Sequence, residues 1–142
     1  MSKLFLDALA QHDVPRRPLW LMRQAGRYLP EYRALRADYS FEELSDSAEL
    51  ACEVTLQPLR RFPLDAAIIF ADLMSPVAAL GIDVRFAPGP VVDEPLVSRS
   101  QIEALPTPEA AEIAPQVGQA LSMVKPQLPE DCALIGLSLI HI

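Results

Sequence analysis

Three short runs constrain this chain most: Leu19-Trp20-Leu21-Met22, Ala66-Ala67-Ile68-Ile69-Phe70 and Ala133-Leu134-Ile135-Gly136 are almost wholly apolar. They are too short for buried helices and do not alternate, which suits strands covered on both faces, as in a parallel sheet. Between the first two the pattern turns helical. Asp46 or Ser47 can cap a helix with Glu49 in its first turn, and Leu50, Cys52, Val54, Leu56 and Leu59 recur at helical spacing. Arg60 and Arg61 suit its C-terminal dipole, Pro58 should disturb its last turn, and Pro63 closes the unit. A helical pattern also precedes the third run. Strand, helix, strand, helix, strand is the rhythm of an α/β fold, doubly wound or barrel, and periodicity does not choose between them.

The remaining segments read as connectors. Leu4 to Leu9 forms a short helical lead-in, and Met74 to Leu80 a short helix ended by Gly81. Ile82 to Phe86 alternates like an exposed strand, and Ala87 to Pro95 is Pro-rich and irregular. Thr107 as N-cap with Pro108 at the first helical position opens a third helix, with an apolar stripe of Ala110, Ile113, Ala114, Val117, Leu121 and Val124. Pro115 lies inside that pattern, so a kink or a later start is expected there. Fourteen prolines against five glycines act as punctuation at element ends.

A length of 142 residues fits one ordinary domain, and 51% hydrophobic against 22% charged residues supplies a core. Nineteen acids against twelve bases leave a net charge of -7, the wrong sign for nucleic acid or anionic membrane to be bound through the whole surface. Asp7 interrupts the N-terminal apolar stretch before it reaches signal-peptide length, and no run approaches a membrane span. Cys52 and Cys132 are too far apart for a metal motif and too few for a disulfide scaffold, so both read as core thiols of a cytoplasmic protein. His12 and His141 have no ligand neighbours at metal spacing, and no metal is expected.

The charge is not evenly spread. Arg16, Arg17, Arg23, Arg27, Arg33 and Arg36 face a single acid, Glu31, for a local charge of +5. Every base in the stretch is Arg, whose planar fork matches carboxylate or phosphate in bidentate fashion. A solvated basic face is the ordinary alternative. Position favours a site, since Arg23 and Arg27 follow the first apolar run and Asp72 follows the second, at the strand ends where parallel α/β folds place their chemistry. Asp72 alone could equally be a helix cap. The three residues are expected to converge on one face of the sheet.

The run from Pro18 to Arg33, centred on Met22-Arg23-Gln24-Ala25-Gly26-Arg27-Tyr28, resembles the N-terminal signature of the uroporphyrinogen decarboxylase family. Leu56 to Asp72, with Leu59-Arg60-Arg61-Phe62-Pro63-Leu64-Asp65, continues it, and the likeness covers most of residues 3–136. The resemblance implies a cofactor-free (β/α)8 TIM barrel, usually a homodimer. Such an enzyme removes carbon dioxide from the acetate side chains of uroporphyrinogen III, giving coproporphyrinogen III in haem and chlorophyll synthesis. It implies that Arg23, Arg27 and Arg36 face the carboxylate-rich tetrapyrrole, with Gln24, Ala25 and Gly26 in the same binding loop. It also implies that Asp72 reaches the pyrrole N–H groups. Asp72 and Arg23 are the catalytic candidates it supplies. An arginine is one proposed proton donor, a role that the high pKa of an ordinary Arg leaves open.

The family pattern stops at Gly136. Residues 137–142, Leu-Ser-Leu-Ile-His-Ile, match what the transposon-end adapter CTGTCTCTTATACACATC encodes, so they are expected to be a non-native read-through tail. Residues 1–136 are then the N-terminal portion of the barrel, and later pocket residues of the family have no counterparts, so the fragment alone is expected to be inactive. Two alternatives remain open: a cobalamin-linked methyltransferase sharing the barrel, and a non-catalytic half-barrel that binds anions.

Overall fold

The computed structural model describes residues 3–87 and 89–136. The predicted tail and His141 lie outside the described residues. The chain divides into two compact units, one made of the residues up to Ala71 and those from Gln116 onward, the other of Asp72–Pro115.

In the first unit, helix α1 (Leu4–Leu9) is followed by an irregular stretch with turns and bends to residue 22, then α2 (Pro30–Asp38), α3 (Phe41–Asp46), α4 (Ala48–Arg61) and strand β1 (Ala66–Ile68). Local chemistry explains the helix starts. Pro30 occupies the first turn of α2, where its missing N–H costs nothing. Ser40 and Glu43 form a reciprocal capping box on α3. The Ser47 side chain accepts from Leu50 N at 3.2 Å and caps α4, one of the two capping residues expected. Pro58 does not disturb α4, because it sits one turn from the end and Phe62 N still donates to its carbonyl at 2.9 Å.

Helix α4 is apolar on two sides. Ala48, Ala51, Cys52 and Leu56 pack with Ile69 and with Ala120 and Val124 of a later helix, α8 (Pro115–Val124). Val54, on the other side, packs with Leu29, Tyr32 and Leu44 of the α2–α3 region. Strand β1 pairs in parallel with β4 (Ala133–Ile135), in the register Ala66 to Ala133 and Ile68 to Ile135. Ala66 and Ala67 are both buried, so both faces of the strand are covered, as the apolar run implied. The Thr55 hydroxyl donates to Ala51 O and accepts from Phe70 N at 2.8 Å, tying α4 to the end of that run.

Leu19–Met22 departs from expectation. It forms no strand, and its side chains are largely exposed, Met22 at 79%. Pro18 offers no N–H, and the N–H and C=O of Leu21 are taken by Gln24, so little remains to extend a ladder. Only Leu19 reaches the β1 edge, accepting from Asp65 N at 2.8 Å.

The second unit holds α5 (Ser75–Ala79), ended by Gly81 at φ 78°, and a short antiparallel pair, β2 (Arg85–Phe86) with β3 (Pro90–Val91). The expected Ile82–Phe86 strand shortens to its last two residues. Helices α6 (Arg99–Glu103) and α7 (Ala110–Ile113) follow. Thr107 does not cap the third helix, because Glu109 and Glu112 form a capping box on α7 instead. The chain breaks at Ala114, and α8 starts anew at Pro115, the later start that the proline implied. The fold class is mixed α/β, as expected.

Candidate functional site

The site begins with a pin on the chain ahead of the arginines. Asp65, just before β1, holds Arg16 through two bonds of 2.7 and 2.6 Å and accepts from Leu19 N at 2.7 Å. The Arg16 guanidinium, and then the Leu19 N–H, hold its carboxyl below the usual carboxylate range against the opposing effect of burial. Sequence reading passed over Asp65. Its signal was a lone acid abutting an apolar strand.

Leu21 to Gln24 then make a turn, closed by Gln24 N donating to Leu21 O at 3.0 Å. Arg23, third of the four residues, has φ 60°, the left-handed position of a type II turn, where glycine is the ordinary occupant. Gln24 is 3% exposed, its Oε1 accepting from Leu21 N at 3.1 Å and its Nε2 donating to Ala66 O at 3.0 Å. Its carbonyl accepts from the Tyr28 hydroxyl. Ala25 packs against the α2–α4 core, and a Cβ on Gly26 would come within 3.3 Å of Arg23 O, so a side chain there would press on the turn.

Beyond the turn, Arg27, Tyr32, Arg33, Arg36 and Ala37 line an open cavity of about 370 Å³. The structure thus brings Arg27 and Arg36 together, with Arg33 between them, while Arg23 lies outside the lining set. Arg33 donates to the carbonyls of Arg27 and Tyr28, and Arg36 to that of Tyr39, contacts that brace these side chains without neutralising them.

The pattern of ion pairing sets the arginines of this loop apart from most of the others. Arg16, Arg60, Arg61, Arg85 and Arg99 each pair with a carboxylate, whereas Arg17, Arg23, Arg27, Arg33 and Arg36 have none within ion-pair distance among the described residues, although Glu43 lies near enough to Arg36 to feel its charge. Glu31, the one acid in the basic stretch, faces Arg61 instead, at 2.6 Å. In a chain with an excess of acid, five arginines without an ion pair within twenty residues suit an external anion.

Asp72 opens the second unit. Its Oδ1 accepts from Met74 N at 3.0 Å and its carbonyl from the Ser75 hydroxyl at 3.1 Å, bracing the turn before α5. Oδ2 has no protein partner among the described residues, so the local role leaves one carboxylate oxygen for other contacts. Burial raises the thiols of Cys52 and Cys132, which suits core residues and not nucleophiles. No group of three or more His, Cys, Asp or Glu among the described residues could hold a metal ion, and no helix there is long and apolar enough to cross a membrane.

These features define a class: an α/β protein whose parallel strand pair anchors an arginine-rich loop. The chain belongs to the uroporphyrinogen decarboxylase family, whose profile matches residues 1–139. It is 52% identical over 134 residues to the uroporphyrinogen decarboxylase of Alkalilimnicola ehrlichii, covering 92% of this chain and 37% of that one. Identity is 45% over 136 residues to the enzyme of Trichlorobacter lovleyi (96% of this chain, 40% of that one) and 47% over 137 residues to that of Vibrio campbellii (94% and 39%). The chain therefore spans about two fifths of the length of these relatives.

Proposed function

We propose that residues 1–136 are the N-terminal portion of a (β/α)8 barrel that decarboxylates the acetate side chains of uroporphyrinogen III to give coproporphyrinogen III, and that residues 137–142 are a non-native tail. The observation that carries this reading is the set of carboxylate-free arginines, three of them on one cavity, in a family of decarboxylases. The parallel β1–β4 pair with flanking helices is consistent with one segment of such a barrel. The parent acts as a cytoplasmic homodimer, without metal or organic cofactor.

The chemistry follows from the residue types. Loss of carbon dioxide from an acetate leaves an electron pair on the methylene carbon, and a pyrrole protonated at a ring carbon accepts that pair as the C–C bond breaks. Protonation of the methylene and loss of the ring-carbon proton restore the pyrrole, so one proton replaces each carbon dioxide. Arg23, Arg27 and Arg36 hold carboxylates, and the loop backbone at Gln24, Ala25 and Gly26 shapes the approach. The Asp72 carboxylate stabilises the cationic ring through its free oxygen and the pyrrole N–H groups.

The test is anaerobic incubation of the full-length parent with uroporphyrinogen III, followed by oxidation and chromatographic separation of products by carboxylate number. Stepwise conversion to coproporphyrinogen in the presence of chelator supports the reading. Unchanged substrate, or activity that chelation abolishes and one metal restores, contradicts it.

A further inference from the structure

All four polar groups of Gln24 are engaged inside the protein: its N–H with Leu21 O, its carbonyl with the Tyr28 hydroxyl, Oε1 with Leu21 N, and Nε2 with Ala66 O. The two side-chain bonds tie the turn at Leu21 and the strand edge at Ala66 to one buried amide. Between the two clamped residues sits Arg23, in a conformation that costs any residue with a Cβ about 1–2 kcal/mol. Glycine would remove that cost, so an arginine here carries backbone strain that the ordinary occupant would not. The cost persists only if the surroundings over-determine the backbone, and the Gln24 amide is the group that does so.

We infer that Gln24 is a positioning residue: its buried side-chain amide holds Arg23 in the left-handed conformation and so aims the guanidinium, without that side chain contacting the substrate. This rests on the proposed decarboxylase reading only for what the guanidinium is aimed at. The clamp itself is a property of the loop.

Two readouts on the full-length parent separate the parts. The first is the hydrogen-exchange protection factor of the residue-24 amide in a double-mutant cycle. With Gln24 present, Arg23→Gly should protect that amide about fivefold better than Arg23→Ala, the factor that corresponds to about 1 kcal/mol of relieved strain. In the Gln24→Met background, which keeps the buried volume and loses both side-chain bonds, the gap should shrink below about twofold. Gln24→Glu, which keeps an acceptor toward Leu21 N and loses the donor toward Ala66 O, replaces Met if that variant does not fold. An equal gap in both backgrounds, or no gap with Gln24 present, overturns the inference.

The second readout is kinetic. Gln24→Met should lower kcat/KM by about tenfold to a hundredfold, on the scale of a misplaced positioning group, and should add nothing to Arg23→Ala. Multiplying losses would mean that Gln24 acts independently of Arg23, and would overturn the inference. A wild-type parent with no decarboxylase activity would end the functional reading, while the exchange cycle would still decide the clamp.

Discussion

Replacing Asp65 in the full-length parent tests how the loop is anchored. Asp65 is the hub of three bonds, two from Arg16 and one from Leu19 N, and its side chain is 9% exposed. Arg16 is more than half exposed, so solvent screens that pair and it carries the smaller share. The Leu19 bond is sheltered. A bond to a charged group contributes about 1.5–3 kcal/mol and a neutral one about 0.5–1.5, so Asp65→Asn should weaken the anchor by about 1 kcal/mol. Asp65→Ala removes the acceptor and should cost about 2 kcal/mol or more. Site-resolved hydrogen exchange reads this directly, with the Leu19 amide exchanging about fivefold faster in Asn and about thirtyfold faster in Ala. The pH dependence has a definite sign. Because the folded carboxyl titrates below the unfolded value of about 3.9, its contribution is complete above that value and is lost as the pH falls through the folded one. The difference between wild type and Asn should stay constant from neutrality to about pH 5 and close below about pH 4. Unchanged Leu19 protection in the Ala variant, or a gap undiminished at pH 3, would refute the anchoring argument.

Other expectations concern the site and the core. Arg27→Lys and Arg23→Lys keep charge but lose the fork, so each should lower kcat/KM of the parent about tenfold or more in steady-state assays; wild-type kinetics would favour a solvated face. Asp72→Asn retains the Oδ1 acceptor for Met74 N, so stability should hardly move while turnover falls about a hundredfold or more, and Asp72→Glu should keep some activity. Leu44, wholly buried among Leu29, Tyr32 and Val54, should cost about 2–5 kcal/mol as Ala in chemical denaturation. The 142-residue chain alone, with Leu21 51% and Met22 79% exposed, should aggregate as purified protein, and a monodisperse chain with a cooperative melt would count against this.

The parallel pair was legible in the sequence because Ala66–Phe70 and Ala133–Gly136 are apolar without alternation, which only double-sided burial rewards. The same logic failed at Leu19–Met22, since an apolar run reports what a segment could bury and not whether a partner takes its backbone groups. There Gln24 takes both groups of Leu21, the N–H with its side-chain oxygen and the C=O with its backbone N–H. Helices α2 and α3 carry few large apolar residues among their charges, although Pro30 and the Ser40–Glu43 box are readable start signals. Of the site, the arginine cluster and its place after an apolar run could be read directly. Which arginines are free could not, because Arg16 and Arg61 are neutralised by acids 49 and 30 residues away. Nor does composition reveal that Gln24 is buried, since glutamine is usually exposed and only the strand edge at Ala66 gives its amide a reason to be inside.

The proposal for this loop is that its arginines without an ion pair hold a polycarboxylate. Its most direct test is equilibrium titration of the full-length parent with uroporphyrin III, the oxidised octacarboxylate, followed by fluorescence, for wild type and for Arg27→Gln and Arg36→Gln. Binding weakened about tenfold or more by each substitution, and weakened further as salt is raised, is the predicted result. Wild-type affinity in both variants would contradict the account.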